Sequence, residues 1–163
     1  MVIRVALLAA LLTAAPPLGA ALTSVRGTVE PLSFSNPSLG LKGTITPVAG
    51  ARFEVVVITL GDEPVEGDLR QFTLTSAAGS SYEPVAAGGG PDLIVPIDSM
   101  PLGRELGQIL PTDALVTLTR TSPATVLLEA DPRATLAFVF QVPLDATMRT
   151  LTLPGGTELA LAR

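Results

Sequence analysis

The chain reads as all-β: a two-layer antiparallel sandwich of short strands behind an N-terminal export signal. Three observations predict it. Apolar and polar residues alternate with a period of two in segment after segment, as in strands with one buried face. Gly and Pro, 15 of each in 163 residues, punctuate those segments at short intervals. Beyond the first twenty residues, no stretch carries a heptad pattern, an internal repeat or a long helical stripe.

The first residues have their own logic. Arg4 supplies a positive end, and residues 5–15 form an apolar run with Thr13 its only polar member. Pro16 and Pro17 break that run, and Gly19 and Ala21 place small residues at −3 and −1 of a cut after Ala21. A cut after Ala20 is nearly as good. This is the layout of a secretory signal peptide, and the run is short of the roughly 20 residues a membrane span needs. The expectation is a signal peptide at residues 1–21 and one exported domain at residues 22–163. The domain would sit in the periplasm or outside the cell, with no stable membrane span once the signal is removed. A lipoprotein would need a Cys after the cut, and the chain has none.

The strands follow in order. Residues 23–29 are a short candidate, followed by Pro31 and an Asn36-Pro37 turn. Residues 39–46 are a second, closed by Pro47. Residues 52–60 (RFEVVVITL) are the strongest, because Val55, Val56, Val57 and Ile58 leave almost no polar face. Such a strand belongs in the middle of a sheet with both faces covered. Residues 61–68 (GDEPVEGD) read as an acidic turn-rich loop, and residues 69–76 alternate around Leu69, Phe72 and Leu74. A turn at Ala78-Gly79-Ser80 leads to residues 81–85 with the sole Tyr, Tyr82.

Residues 88–111 read as a long irregular connection holding a Gly triplet and four Pro, with a short helical turn over 102–110. Loops of that length are usually functional or mobile. Strands resume at 114–120, 124–129 and 134–142, the last with Leu136, Phe138, Phe140 and Val142 on one face. Pro143 stops it, since Pro cannot donate to a ladder. Residues 149–153 and 157–161 close the chain around Pro154-Gly155-Gly156. About nine or ten strands with turns between them make a sandwich.

Composition removes several classes of function. The formal net charge is −5 and Lys42 is the only Lys. Such a surface lacks the basic footprint that nucleic acid or anionic lipid needs. With no Cys, disulfides, thiolate catalysis and sulfur–metal sites are excluded. With no His, the usual imidazole ligand and neutral-pH base are missing. No Ser lies in a G-x-S-x-G elbow, and Gly88-Gly89-Gly90 has no Lys-Ser/Thr at the spacing of a phosphate loop.

Gly50-Ala51-Arg52-Phe53 followed by EVVVITLGDEPV resembles the opening of bacterial telokin-like domains. The likeness continues in order through Phe72-Thr73-Leu74, Gly79-Ser80-Ser81-Tyr82, the stretch LAFVFQVP at 136–143, and Leu151 to Leu153. The chain departs from the pattern at Thr59-Leu60-Gly61, where the family often has Asn, and at Asp131-Pro132-Arg133, where it often has Pro-Gly. The resemblance implies an immunoglobulin-like fold and an exported setting. It supplies no catalytic residues.

Two segments stand out as candidate sites. Asp62, Glu63, Glu66 and Asp68 offer four hard carboxylate ligands to calcium, although not at EF-hand spacing. The alternative is a solvated hairpin end whose charges discourage edge pairing. Leu93, Ile94, Val95 and Ile97, with Pro96 between them, form an apolar stretch inside the long connection. It either tucks against the sandwich as an edge strand or offers a partner a sticky surface.

The function expected is that of a non-catalytic binding or structural module, with no cofactor. It would contact an envelope or extracellular protein through loops or a sheet edge. A calcium-stabilised adhesion module is one alternative. A carboxylate-pair hydrolase is another, disfavoured by one Tyr and no Trp to form a sugar platform.

Overall fold

The computed structural model describes residues 19–36, 40–90, 93–100, 102 and 115–161. Residues 1–18 of the signal peptide expected at 1–21, and residues 103–110 of the helical turn expected at 102–110, lie outside the described residues. The described chain forms the strands β1 (Ala21–Thr28), β2 (Leu32–Asn36), β3 (Leu41–Ile45), β4 (Ala51–Thr59), β5 (Val65–Asp68), β6 (Thr73–Ser76) and β7 (Ser81–Tyr82). It continues with β8 (Pro84–Gly88), β9 (Ile94–Pro96), β10 (Val116–Ser122), β11 (Thr125–Ala130), β12 (Thr135–Pro143), β13 (Met148–Thr152) and β14 (Glu158–Ala160). Short 3₁₀ turns occupy Leu69–Gln71 and Ile97–Ser99. No helix among the described residues is long and apolar enough to cross a membrane.

The fold is an antiparallel β-sandwich. One layer is a five-stranded sheet in the order β1-β4-β12-β8-β9. The facing layer comprises two smaller sheets, β10-β11-β5 and β14-β13-β6-β7. The main core lies between them. Val56 and Ile58 of β4 and Leu136, Phe138, Phe140 and Val142 of β12 point into it. From the facing sheets come Leu118, Leu128, Leu74 and Leu151, all fully buried. Phe72 and Phe138 stack at 4.7 Å between ring centroids, an arrangement worth about 0.5–1.5 kcal/mol beyond the area it buries.

The alternate residues explain why β4 has so little polar face. Phe53, Val55 and Val57 point the other way, with Ala137 and Val139 of β12 and Ala86 and Ile94 beside them. The β2–β3 hairpin covers this outer face through Leu32 and Ile45. An isolated two-stranded hairpin is marginal in water, so this pair depends on the sheet beneath it.

Several stretches differ from the reading of the sequence. Residues 32–36, read as a turn-bearing link, form β2, paired with β3 from Leu32 opposite Ile45 to Asn36 opposite Leu41. Leu69–Gln71, read as the start of a strand, form a 3₁₀ turn, because Asp68 and Gln71 close a capping box around it. Residues 65–68 do not stay a loop: β5 pairs antiparallel with β11, setting Gly67 opposite Leu128 and Val65 opposite Ala130. Glu66, Gly67 and Asp68 look like turn residues, but buried Val65 anchors the strand. A Cβ on Gly67 would meet Gln71 Oε1 at 2.5 Å and Pro154 at 3.1 Å, so Gly allows the chain to pass between them. Within the long connection, residues 94–96 become β9, paired with β8 in the register Ala87 to Val95 and Gly88 to Ile94.

Candidate functional site

The four acidic residues at 62–68 are not brought together. Asp62 is exposed and pairs with Arg133, its Oδ1 accepting from Nε at 2.9 Å. Asp68 turns the other way and caps the 3₁₀ turn, its Oδ1 accepting from the Arg70 backbone N–H at 3.0 Å. Its Oδ2 also accepts from the Arg70 guanidinium at 2.7 Å. Burial pushes the Asp68 carboxyl up, yet the Arg70 side chain and backbone N–H together hold it below its usual range. Glu66 is exposed and lies directly opposite Glu129 on β11, and Glu63 is exposed. Among the described residues, no group of three or more acidic side chains is placed to hold a metal ion.

The apolar stretch at 93–97 takes the tucked arrangement. Ile94 and Val95 are each 2% exposed, one on the outer face of the five-stranded sheet and one in the main core. Only Leu93 and Ile97 keep partial exposure. Buried side chains offer a partner no surface, so the contact surface expected from this stretch narrows to those two.

The structure places a different feature at the far edge of the same sheet. β1 is the longest of its edge strands, eight residues paired to β4 along one side. Among the described residues, no other strand or loop makes a backbone hydrogen bond to it. Thr23, Ser24, Arg26 and Gly27 are exposed. A bulge between Leu22 and Ser24 interrupts the register, and Ser24 to Thr28 then run straight. The other edges are shorter or obstructed. β7 and β14 have two and three residues, and β2 packs on β9. Leu102 bridges to Arg120 on β10. Edge strands present unpaired N–H and C=O groups, which natural proteins usually blunt or use.

Beside β1 opens a groove of about 820 Å³, lined by Val25, Gly27, Val29, Arg52, Glu54 and Leu144 among others. Val29 and Leu144 are more than half exposed at its lips. At its base lies a buried ion pair. Glu54 is fully buried, and its Oε2 accepts from Arg52 Nε at 3.2 Å and from a terminal nitrogen at 3.1 Å. The remaining guanidinium hydrogens go to the carbonyls of Pro143, Leu144 and Ala146 at 3.0, 2.6 and 2.9 Å. A guanidinium has five N–H donors, and all five are committed. Arg52 therefore clamps the turn after β12 to β4 and has no donor to spare for a ligand. Gly27 completes the arrangement: a Cβ there would sit 3.1 Å from Arg52 Nε and 3.3 Å from Glu54 Oε2.

A second groove of about 510 Å³ runs between the β2–β3 hairpin and β8–β9, with Phe34, Ile45, Phe53, Val85, Asp98 and Gln141 in its lining. The Gln141 amide oxygen is already taken by the Val48 N–H at 3.1 Å.

Comparison with known proteins adds nothing to this geometry. No family model, curated protein or solved structure matches the chain.

Sequence reasoning missed the β1 edge as a site. Its groove is assembled from residues near 25–30, 52–54 and 144, three places that carry no shared motif. The one available signal was the pairing of a half-apolar strand with a Gly at its end.

Proposed function

We propose that the protein is an exported, non-catalytic binding or structural module of the bacterial cell envelope or extracellular space. On this reading it belongs with the telokin-like immunoglobulin-fold domains and engages a protein partner through a sheet edge. The observation that carries the reading is the exposed edge of β1, which a cut after Ala21 leaves intact from Leu22 to Thr28, flanked by the exposed apolar side chains Val29 and Leu144. An extended segment adding there gains main-chain hydrogen bonds for affinity and a groove for side-chain selection. The full commitment of Arg52 argues against chemistry at the buried pair of Arg52 and Glu54.

The test is affinity capture of the tagged protein from native envelope and culture-supernatant fractions, read by mass spectrometry. Val25→Lys, which aims a charge into the groove and is first shown to keep the native circular dichroism because Val25 also packs against the main core, is compared with Thr150→Lys on the opposite layer. An inward-pointing charge blocks strand addition. A partner retained by Thr150→Lys and lost with Val25→Lys supports the reading. A partner kept by Val25→Lys removes the edge from it, and no enriched partner in either fraction overturns it.

A further inference from the structure

Resting on the strand-edge reading above, we infer that β1 accepts an antiparallel segment of another protein carrying an aromatic, an acidic and a β-branched residue in that order. The three positions follow from the straight part of β1. Val25 faces the main core and pairs with Val56, whereas Arg26 pairs with Val55 on the other side of the sheet. Gly27 again faces inward, opposite Glu54. An added strand alternates the same way, so its residues opposite Val25 and Gly27 enter the groove and the one between them stays on the outer face.

Each position selects by chemistry. Gly27 has no side chain of its own, and the Arg52 guanidinium lies over it beside the Glu54 carboxylate, Nε 3.1 Å and Oε2 3.3 Å from where a Cβ would sit. The five N–H bonds of Arg52 are already committed, so an arriving side chain has no donor to meet and gains most by stacking, as aromatic rings do on a guanidinium. Opposite Arg26, the only charged residue on β1, a carboxylate is favoured across the strands. Opposite half-buried Val25, a β-branched side chain fits the pleat. Antiparallel addition is chosen because every strand pair described in these sheets is antiparallel, and that pairing is the more stable per residue.

A second copy of the chain is a poor occupant. Antiparallel self-pairing centred on the straight run from Ser24 to Thr28 sets Arg26 against Arg26 of the other copy. Like charges directly opposite are destabilising, and both copies carry the same acidic net charge.

The experiment selects a displayed library of random nine-residue peptides on the folded domain and, in parallel, on Arg26→Glu. Arg26 is exposed, so the exchange leaves the core untouched. The expected result is an aromatic–acidic–β-branched consensus on the wild-type domain and an aromatic–basic–β-branched one on Arg26→Glu. A synthetic Thr-Thr-Phe-Glu-Val-Thr-Thr peptide should bind Arg26→Glu about fivefold more weakly, and its Lys-for-Glu version should regain that factor. A consensus that ignores the charge exchange overturns the inference. So does sedimentation showing a dimer that Val25→Lys dissolves, since a second copy then fills the edge. An empty selection beside a native partner lost on Val25→Lys overturns the triplet and leaves the edge reading standing. An empty selection with no such partner overturns both.

Discussion

Replacing Arg52 with Met tests whether the buried pair is the clamp that its geometry describes. Met keeps much of the stem and removes all five N–H donors. Glu54 is fully buried and loses its counter-ion at 3.1 Å. Removing one member of a buried ion pair costs about 3–5 kcal/mol. The carbonyls of Pro143, Leu144 and Ala146 lose donors as well, but Leu144 is 52% exposed. Water reaches that turn, so their loss adds about 1 kcal/mol or less. The melting temperature should fall by roughly 10–15 °C, given about 3 °C per kcal/mol in a domain of this size. The double variant Arg52→Met/Glu54→Leu removes both charges and should recover to within about 2 kcal/mol of wild type, because an apolar pair of similar volume can replace a buried ion pair. Urea unfolding of the wild type, both single variants and the double variant, followed by circular dichroism, gives the coupling energy directly. A loss below about 1 kcal/mol for Arg52→Met, or a double variant as unstable as the two singles added, would refute the clamp.

The remaining expectations concern single positions. Gly88→Ala should lose about 2–3 kcal/mol in urea unfolding, because its Cβ would run into the Leu93 carbonyl and lie 3.0 Å from Ile94 Cα, backbone that cannot swing aside. Glu66→Lys should raise the urea midpoint by the equivalent of about 0.2–1 kcal/mol, since it turns a cross-strand repulsion with Glu129 into an attraction. Asp68→Asn should keep the cap and lose the bond to the Arg70 guanidinium. The folded-state pKa of Asp68 lies below the unfolded value of 3.8, so its stabilisation is complete above that value and is lost as pH falls through the folded one. The stability gap between wild type and Asp68→Asn should therefore hold from neutral pH to about 5 and close under acid, read by unfolding at stepped pH.

Strands with one buried face were legible because alternation is a local property. Leu136, Phe138, Phe140 and Val142 share a face in the sequence and share the core in the fold. The apolar run 55–58 likewise announced a central strand covered on both sides. It did not say what covers the second side, because a hairpin lying over a sheet leaves no periodic mark on that sheet. β5 was hidden for a related reason. Glu66, Gly67 and Asp68 carry turn chemistry, and only pairing with β11 makes them a strand.

The candidate sites divide in the same way. Composition alone removed thiolate, imidazole and phosphate-loop chemistry, since a side chain that is absent cannot act. It also gathered four carboxylates in seven residues, and the fold then dispersed them. Asp62 turns to Arg133, 71 residues away in sequence, while Asp68 turns inward to cap its own 3₁₀ turn. The groove beside β1 depends wholly on tertiary structure. Arg52 and Glu54 read as two ordinary charges at the start of a central strand until the turn at 143–146 supplies three carbonyls and Gly27 leaves room for the guanidinium. The sequence by itself determined the class of fold and the chemistry that is out of reach, because period and composition act locally. Which edge stays open, and which charges are spent holding the molecule together, was decided only when distant segments met.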